Sequence, residues 1–172
     1  MRTKLSVNLN KIALIRNARD DGNPSPCEFG RIALENGAAG LTVHPRPDQR
    51  HIRASDVQPL AELVKQFPGA EFNIEGNPFH NLMGHVLSVL PDQATFVPDK
   101  EGQKTSDHGF SLDEDGERVR PLIAQAKQAG VRVSLFLDPI ASEMKKAKAL
   151  GADRIELYTE GYATVSYTHL RA

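Results

Sequence analysis

Two imidazoles and three guanidiniums fall within ten residues in the stretch Thr42-Val43-His44-Pro45-Arg46-Pro47-Asp48-Gln49-Arg50-His51-Ile52-Arg53. Prolines flank Arg46 and fix the backbone on both sides, so the arginine belongs to a stiff, non-helical loop. A guanidinium offers planar, bidentate hydrogen bonds to phosphate, and a rigid basic loop at the mouth of a strand suits a phosphorylated small molecule. His44 ends the apolar run Gly40-Leu41-Thr42-Val43 and is a candidate for acid–base work or substrate contact, because imidazole titrates near neutrality. Arg50 and His51 are either further ligands or solvated loop residues. Arg16 and Arg19, just after the first strand, could share an anion with this loop.

A carboxylate completes the set. Glu75 ends the run Glu71-Phe72-Asn73-Ile74 and precedes Gly76, which leaves room for close approach of a ligand. Burial there would raise its pKa, whereas a neighbouring arginine would lower it. The competing structural reading makes it a salt-bridge partner of Arg46 or Arg53. His44, His51 and Glu75 could also gather zinc, but the chain has no His-x-His or His-Glu-x-x-His pattern and the arginines would repel a dication. His80, His85 and His108 read as surface residues.

The elements that must position these groups alternate in type. Strands are expected near 4–9, 40–43, 71–74, 94–97, 131–137 and 154–157. Helices lie between them: one from Ser25-Pro26-Cys27-Glu28 to Gly37, one capped at Ser55-Asp56, one over about 79–90, one over 117–129 and one after Asp138-Pro139, stopping at Gly151. A polar loop runs from Glu101 to about Gly116. Crossovers of this length demand parallel pairing, and strands with apolar runs and little alternation suggest a sheet covered on both faces. Asn8, His44, Glu75, Asp99, Asp138 and Glu160 all fall at or just beyond C-terminal strand ends, where a (β/α) barrel converges on one mouth. A doubly wound sheet would want a glycine-rich first turn, and Asn8-Leu9-Asn10-Lys11 has none. The expected fold class is α/β, a (β/α)8 TIM barrel of which about the first six βα units are present, since eight typically need ~250 residues.

Bulk properties narrow the function classes. With 172 residues and a formal net charge of −1, the chain can bury one domain core and gives no support for a nucleic-acid partner. Its single cysteine, Cys27, excludes an intrachain disulfide and reads as a small packing residue. No apolar run reaches the ~20 residues of a membrane span and no signal-peptide core opens the chain, so a cytoplasmic setting is the default expectation.

Several of these segments, taken together, resemble one family. Ser6-Val7-Asn8, Ile15-Arg16-Asn17-Ala18-Arg19, Thr42-Val43-His44-Pro45-Arg46 with Arg50-His51-Ile52, Phe72-Asn73-Ile74-Glu75-Gly76-Asn77, and Val97-Pro98-Asp99-Lys100 are similar, in that order, to pyridoxine 5′-phosphate synthases. The resemblance covers residues 4 to about 163. It implies a barrel that assembles into homo-oligomers and condenses 3-amino-2-oxopropyl phosphate with 1-deoxy-D-xylulose 5-phosphate, giving pyridoxine 5′-phosphate, phosphate and water without a metal or organic cofactor. It further implies that His44 and Glu75 transfer protons and that Asn8, Arg19, Arg46, His51 and Thr105 contact substrate. Asn10 and Lys11 stand where some members have Asp-His, so substrate contact there is expected with altered chemistry. Residues 1–163 are thus expected to form a partial barrel and 164–172 a tail foreign to the family. The 172-residue chain on its own is expected to lack activity. The alternatives are a non-catalytic phosphate-binding partial barrel and a phosphosugar isomerase or aldolase. The last would want a Schiff-base lysine on a strand, and Lys11 and Lys100 lie in loops.

Overall fold

The computed structural model describes residues 3–19, 22–100, 102–103 and 105–163. Six strands, β1 (Ser6–Asn8), β2 (Gly40–Val43), β3 (Glu71–Gly76), β4 (Gln93–Phe96), β5 (Arg132–Leu137) and β6 (Arg154–Leu157), form one sheet in chain order. All five neighbouring pairs are parallel. Six helices make the connections: α1 (Asn10–Asn17) and α2 (Pro26–Glu35) between β1 and β2, then α3 (Ala54–Lys65), α4 (Leu82–Val89), α5 (Leu112–Gln128) and α6 (Ala141–Leu150). Sequential parallel strands joined by helices are the repeating unit of a (β/α) barrel.

The sheet is not apolar on both faces as the sequence suggested. One set of alternate residues, including Leu41, Val43, Phe72, Ile74, Ala94, Phe96, Val133, Leu135 and Leu137, is buried in the core with the helices. The other set is polar apart from Gly40 and Phe136, and it is linked across strands: Ser6 Oγ lies 2.8 Å from Thr42 Oγ1, Asn73 Nδ2 donates to Thr42 Oγ1 at 3.4 Å, and Thr95 Oγ1 donates to Asn73 Oδ1 at 3.0 Å. Arg154 on β6 reaches Gln93 of β4 at 3.0 Å and Glu71 of β3 at 3.6 Å. Flat parallel neighbours sit roughly 4.8 Å apart, so contact across three strands marks this face as concave. Gly40 permits the close pairing at its N-terminal end, since a Cβ there would sit 2.3 Å from the Glu71 carbonyl oxygen.

Several helix boundaries differ from expectation. Ser25 caps α2 as expected, its Oγ accepting from the Glu28 N–H at 3.4 Å. At α3 the cap position is Arg53 and not Ser55, and the Asp56 carboxylate accepts from the Arg53 N–H at 2.8 Å. Helix α5 begins at Leu112, five residues before the expected start, with Asp113, Glu114 and Asp115 in its first turn. That acidic run, expected as loop, is favoured by the positive end of the helix dipole. Asp138 does not cap α6, whose cap position is Ile140; instead its Oδ1 accepts from the Gly109 N–H at 3.3 Å and ties the β4–α5 loop to the end of β5.

Candidate functional site

The C-terminal ends of β1, β2 and β3 place Asn8, His44 and Glu75 together. The polar alternation that points Thr42 and Asn73 to the concave face also sets the direction of the residues two positions on. Asn8 Nδ2 donates to Glu75 Oε2 at 3.4 Å, and His44 Nδ1 lies 3.9 Å from the same oxygen. Asn10, at the start of α1, accepts the His44 backbone N–H on its Oδ1 at 2.9 Å, so it fixes the loop that carries the imidazole. Across the ring, His44 Nε2 lies 3.6 Å from Asp99 Oδ2. Both distances exceed hydrogen-bond length but are short for electrostatic coupling.

Burial sets the protonation states. Glu75 has only 12% of its side chain exposed. Desolvation holds its pKa well above the ordinary carboxylate value, reinforced by Glu156 and Asp99 and opposed by the Asn8 hydrogen bond. No arginine pairs with Glu75 among the described residues, so the desolvation reading prevails over the salt-bridge reading. His44 moves the other way: burial, then the charges of Arg46 and His51, lower it to about 3. Burial followed by Arg46 and Arg50 lowers His51 to about 4, with its Nδ1 accepting the Ile52 N–H at 2.9 Å and its ring 6.0 Å from that of His44. Burial therefore favours the protonated carboxyl at Glu75 and, with a pKa of about 3, leaves the His44 imidazole unprotonated at neutral pH. Two titratable groups pushed apart in this way are an acid and a base ready for use.

Arg46 is buried, with Nη1 2.8 Å from Asp99 Oδ2 and Nη2 donating to the Gln103 carbonyl at 2.9 Å. It thereby joins the β2–α3 loop to the β4–α5 loop. His44, Arg46, Asn77, His80, Asp99 and Lys100 line a cavity of about 410 Å³ beside this junction. Arg16 does not share an anion with the basic loop. Its guanidinium is buried and bound to both Asp56 oxygens at 2.6 and 2.9 Å, and to the His51 carbonyl at 3.1 Å. That bidentate pair anchors α1 to α3 and shapes the loop from behind. Lys11, Arg19 and Thr105 are exposed, and none of them joins the His44–Glu75 pair, although the Lys11 charge contributes to lowering His51. His80 is exposed yet lines the cavity, whereas His85 is half-buried with its Nε2 3.3 Å from Asn81 Nδ2. Glu156, in the middle of β6, escaped the strand-end criterion. Burial raises its pKa and its charge is felt at Glu75. The alternation in Arg154-Ile155-Glu156-Leu157 was the available signal, since it puts the two charged residues on one face.

A stability consequence follows for the two histidines. Above their ordinary value of about 6.5 the rings are neutral in folded and unfolded chains alike, so they contribute nothing. As pH falls below it, the unfolded chain takes up protons that the folded chain refuses, and stability is lost down to the folded values of about 3 and 4. His44 alone should remove on the order of 2–3 kcal/mol between pH 6.5 and 4.5. Glu75 acts oppositely, weakening the fold as pH rises through its elevated pKa. Urea unfolding in dilute solution should show a midpoint falling steeply below pH 6.5, and His44→Gln should flatten that limb. An equal slope in the variant would show that His44 titrates normally.

The comparisons with known proteins agree with this geometry. Residues 5–172 match the family described as pyridoxal phosphate biosynthesis protein PdxJ. A pyridoxine 5′-phosphate synthase from Albidiferax ferrireducens is 59% identical over 168 residues, covering 95% of this chain and 67% of that protein. One from Brucella abortus is 52% identical over 163 residues, covering 94% of this chain and 66% of that protein. The chain thus spans about two thirds of the length of these relatives. The expectation of a foreign tail at 164–172 concerns residues outside the described ones. Among solved structures, an aldolase named QR15 aligns with a TM-score of 0.55 at 17% identity, over 90% of this chain and 76% of that one. A putative phosphonomutase from Burkholderia cenocepacia aligns at 0.58 and 12% identity, over 85% of this chain and 61% of that one. At such identities the likeness is one of fold. Family and fold converge, and this chain belongs to the PdxJ family of pyridoxal phosphate biosynthesis proteins.

Proposed function

We propose that the site serves pyridoxine 5′-phosphate synthesis, condensing 3-amino-2-oxopropyl phosphate with 1-deoxy-D-xylulose 5-phosphate and releasing phosphate and water. The observation that carries this reading is the approach of the Glu75 carboxyl and the His44 imidazole to 3.9 Å on the concave face, where burial raises the pKa of the one and lowers that of the other. Joining an amine to a ketone, expelling hydroxyls as water and closing a ring all need a proton given at one atom and taken at another. Glu75, whose protonated form is favoured by burial, supplies the proton that turns a hydroxyl into departing water. His44, unprotonated at rest, removes protons from carbon or nitrogen. Asn8 holds the Glu75 carboxyl in place, and Asn10 holds the His44 backbone. In this reading Arg46 and His51 offer the phosphosugar positive charge and hydrogen-bond donors, and Arg19, Lys11 and Thr105, exposed in the free chain, make further substrate contacts. The subunits are expected to form a homo-oligomer, and the setting is expected to be cytoplasmic; no helix among the described residues is long and apolar enough to cross a membrane.

The test is product formation from the two substrates, measured on this chain and on a chimera. In the chimera, residues 1–163 continue into the corresponding last third of the Albidiferax relative. Turnover by the chimera supports the reading; phosphosugar binding without turnover would favour a phosphate-binding barrel instead. In the same chimera Arg46→Lys should weaken phosphosugar binding by about 1.5–3 kcal/mol, because an ammonium cannot reproduce a bidentate guanidinium contact. Unchanged affinity in titration calorimetry would place Arg46 outside the binding site.

A further inference from the structure

Asp99 is the buried polar group that the proposed chemistry leaves without a task. Its residue is 5% exposed, and neither carboxylate oxygen accepts a hydrogen bond among the described residues. Arg46 Nη1 is 2.8 Å from Oδ2, but its N–H is not aligned on that oxygen, so the contact is an ion pair without a formal hydrogen bond. Buried carboxylates left in this condition are costly, and where they persist the surroundings over-determine them. Here Asn77 Nδ2 donates to the Asp99 carbonyl at 2.7 Å and pins the backbone, while Arg46 holds the side chain. Gln103, whose carbonyl takes the other end of the guanidinium at 2.9 Å, keeps Arg46 from swinging away.

What the carboxylate faces is the imidazole. The Nε2 edge of His44 looks at Asp99 Oδ2 from 3.6 Å, and the Nδ1 edge looks at Glu75 Oε2 from 3.9 Å. The other charged and titratable groups about the ring are Arg46, Asp48 and Arg50 from its own loop and His51, whose ring centre is 6.0 Å away. Glu156 of β6 and Asn8 of β1 act on the far side of Glu75. A neutral imidazole carries one proton, and the carboxylate favours the tautomer that turns an N–H towards it over the one that turns a lone pair towards it.

We propose that Asp99 is a positioning residue that keeps the His44 proton on Nε2, making Nδ1, on the Glu75 side, the atom that accepts protons during the reaction. The inference rests on the proposed acid–base reading for its consequence, though not for its test. Under it, a proton taken from substrate arrives on Nδ1, giving an imidazolium whose charge lies against Asp99, and leaves again from Nδ1. The acceptor atom and the acid Glu75 then share one reaction zone, and Nε2 stays clamped outside it.

Histidine tautomers are read directly from ¹⁵N shifts, without turnover. The full 172-residue chain is labelled with ¹⁵N-histidine, sedimented and examined by magic-angle-spinning NMR at pH 7.5. The His44 signal is identified by its loss in His44→Gln. The Nε2–H form should outnumber the Nδ1–H form by about tenfold or more in the wild type. In Asp99→Asn, which removes charge and keeps shape, the ratio should fall to within about threefold of unity, and Asp99→Glu should restore it. A wild-type Nδ1–H majority, or an unchanged ratio in Asp99→Asn with the other histidine signals intact, would overturn the proposal. If Asp99→Asn fails to fold, the wild-type and Asp99→Glu spectra still decide. In the chimera Asp99→Asn should lower kcat by about 10–100-fold, shift the acidic limb of the pH profile and leave KM within about threefold. A chimera without turnover whose His44 shows the expected tautomers would count against the synthase reading alone.

Discussion

Replacing Glu75 by glutamine in the chimera is expected to lower kcat by ~10²–10⁴ while KM changes by no more than about threefold. Glutamine copies the shape and neutrality of a protonated glutamate. It can still meet Asn8, whose amide lies 3.4 Å from Oε2 in the native site. What it lacks is a proton to give. The raised pKa sharpens this expectation, because burial beside Glu156 and Asp99 favours the protonated carboxyl, the form that glutamine resembles. Steady-state kinetics across pH would add a signature: the alkaline limb attributed to Glu75 should vanish. A variant that binds poorly and turns over normally would instead make Glu75 a positioning group.

A second large effect concerns the 172-residue chain purified alone, which is expected to self-associate and form no product. In the described sheet β1 pairs only with β2 and β6 only with β5, so each presents one edge of unpaired N–H and C=O groups. Beside the β6 edge, Ile155 and Leu157 are 39% and 44% exposed. Unpaired edges next to apolar side chains recruit other edges. Size-exclusion chromatography should therefore show dimers or larger species, and Ile155→Lys should shift elution towards the monomer. A monomeric wild-type chain that makes pyridoxine 5′-phosphate would refute this, and would show that six βα units suffice.

Much of the site was legible because barrel architecture converts strand ends into neighbours. Asn8, His44, Glu75 and Asp99 are scattered over more than ninety positions, and strand-end placement alone brought them to one mouth. Partner choice was not legible. Nothing local to Arg16 says that its guanidinium meets Asp56, forty residues on, because that contact depends on how α1 lies against α3. Polarity also misled where it had two meanings: Asp113-Glu114-Asp115 looks like loop by composition, but the same charges suit the first turn of α5. Glu156 lies inside β6 and not at its end, so strand-end placement does not point to it. Alternation along β6 gives the concave face a second, deeper row.

That polar concave face also divides the chain by its tolerance of change. The outward residues of β2 to β5 are locked against helices in the hydrophobic core, where loss of a methylene costs of the order of 1 kcal/mol. The inward residues meet one another through hydroxyls, amides and charges, which can be exchanged in pairs without reopening that core. Under drift or laboratory selection, Ser6, Thr42, Asn73, Gln93 and Thr95 should vary together, as a set, while Leu41, Ile74 and Phe96 stay put. New specificities would then arise from the inside of the sheet at small cost to folding.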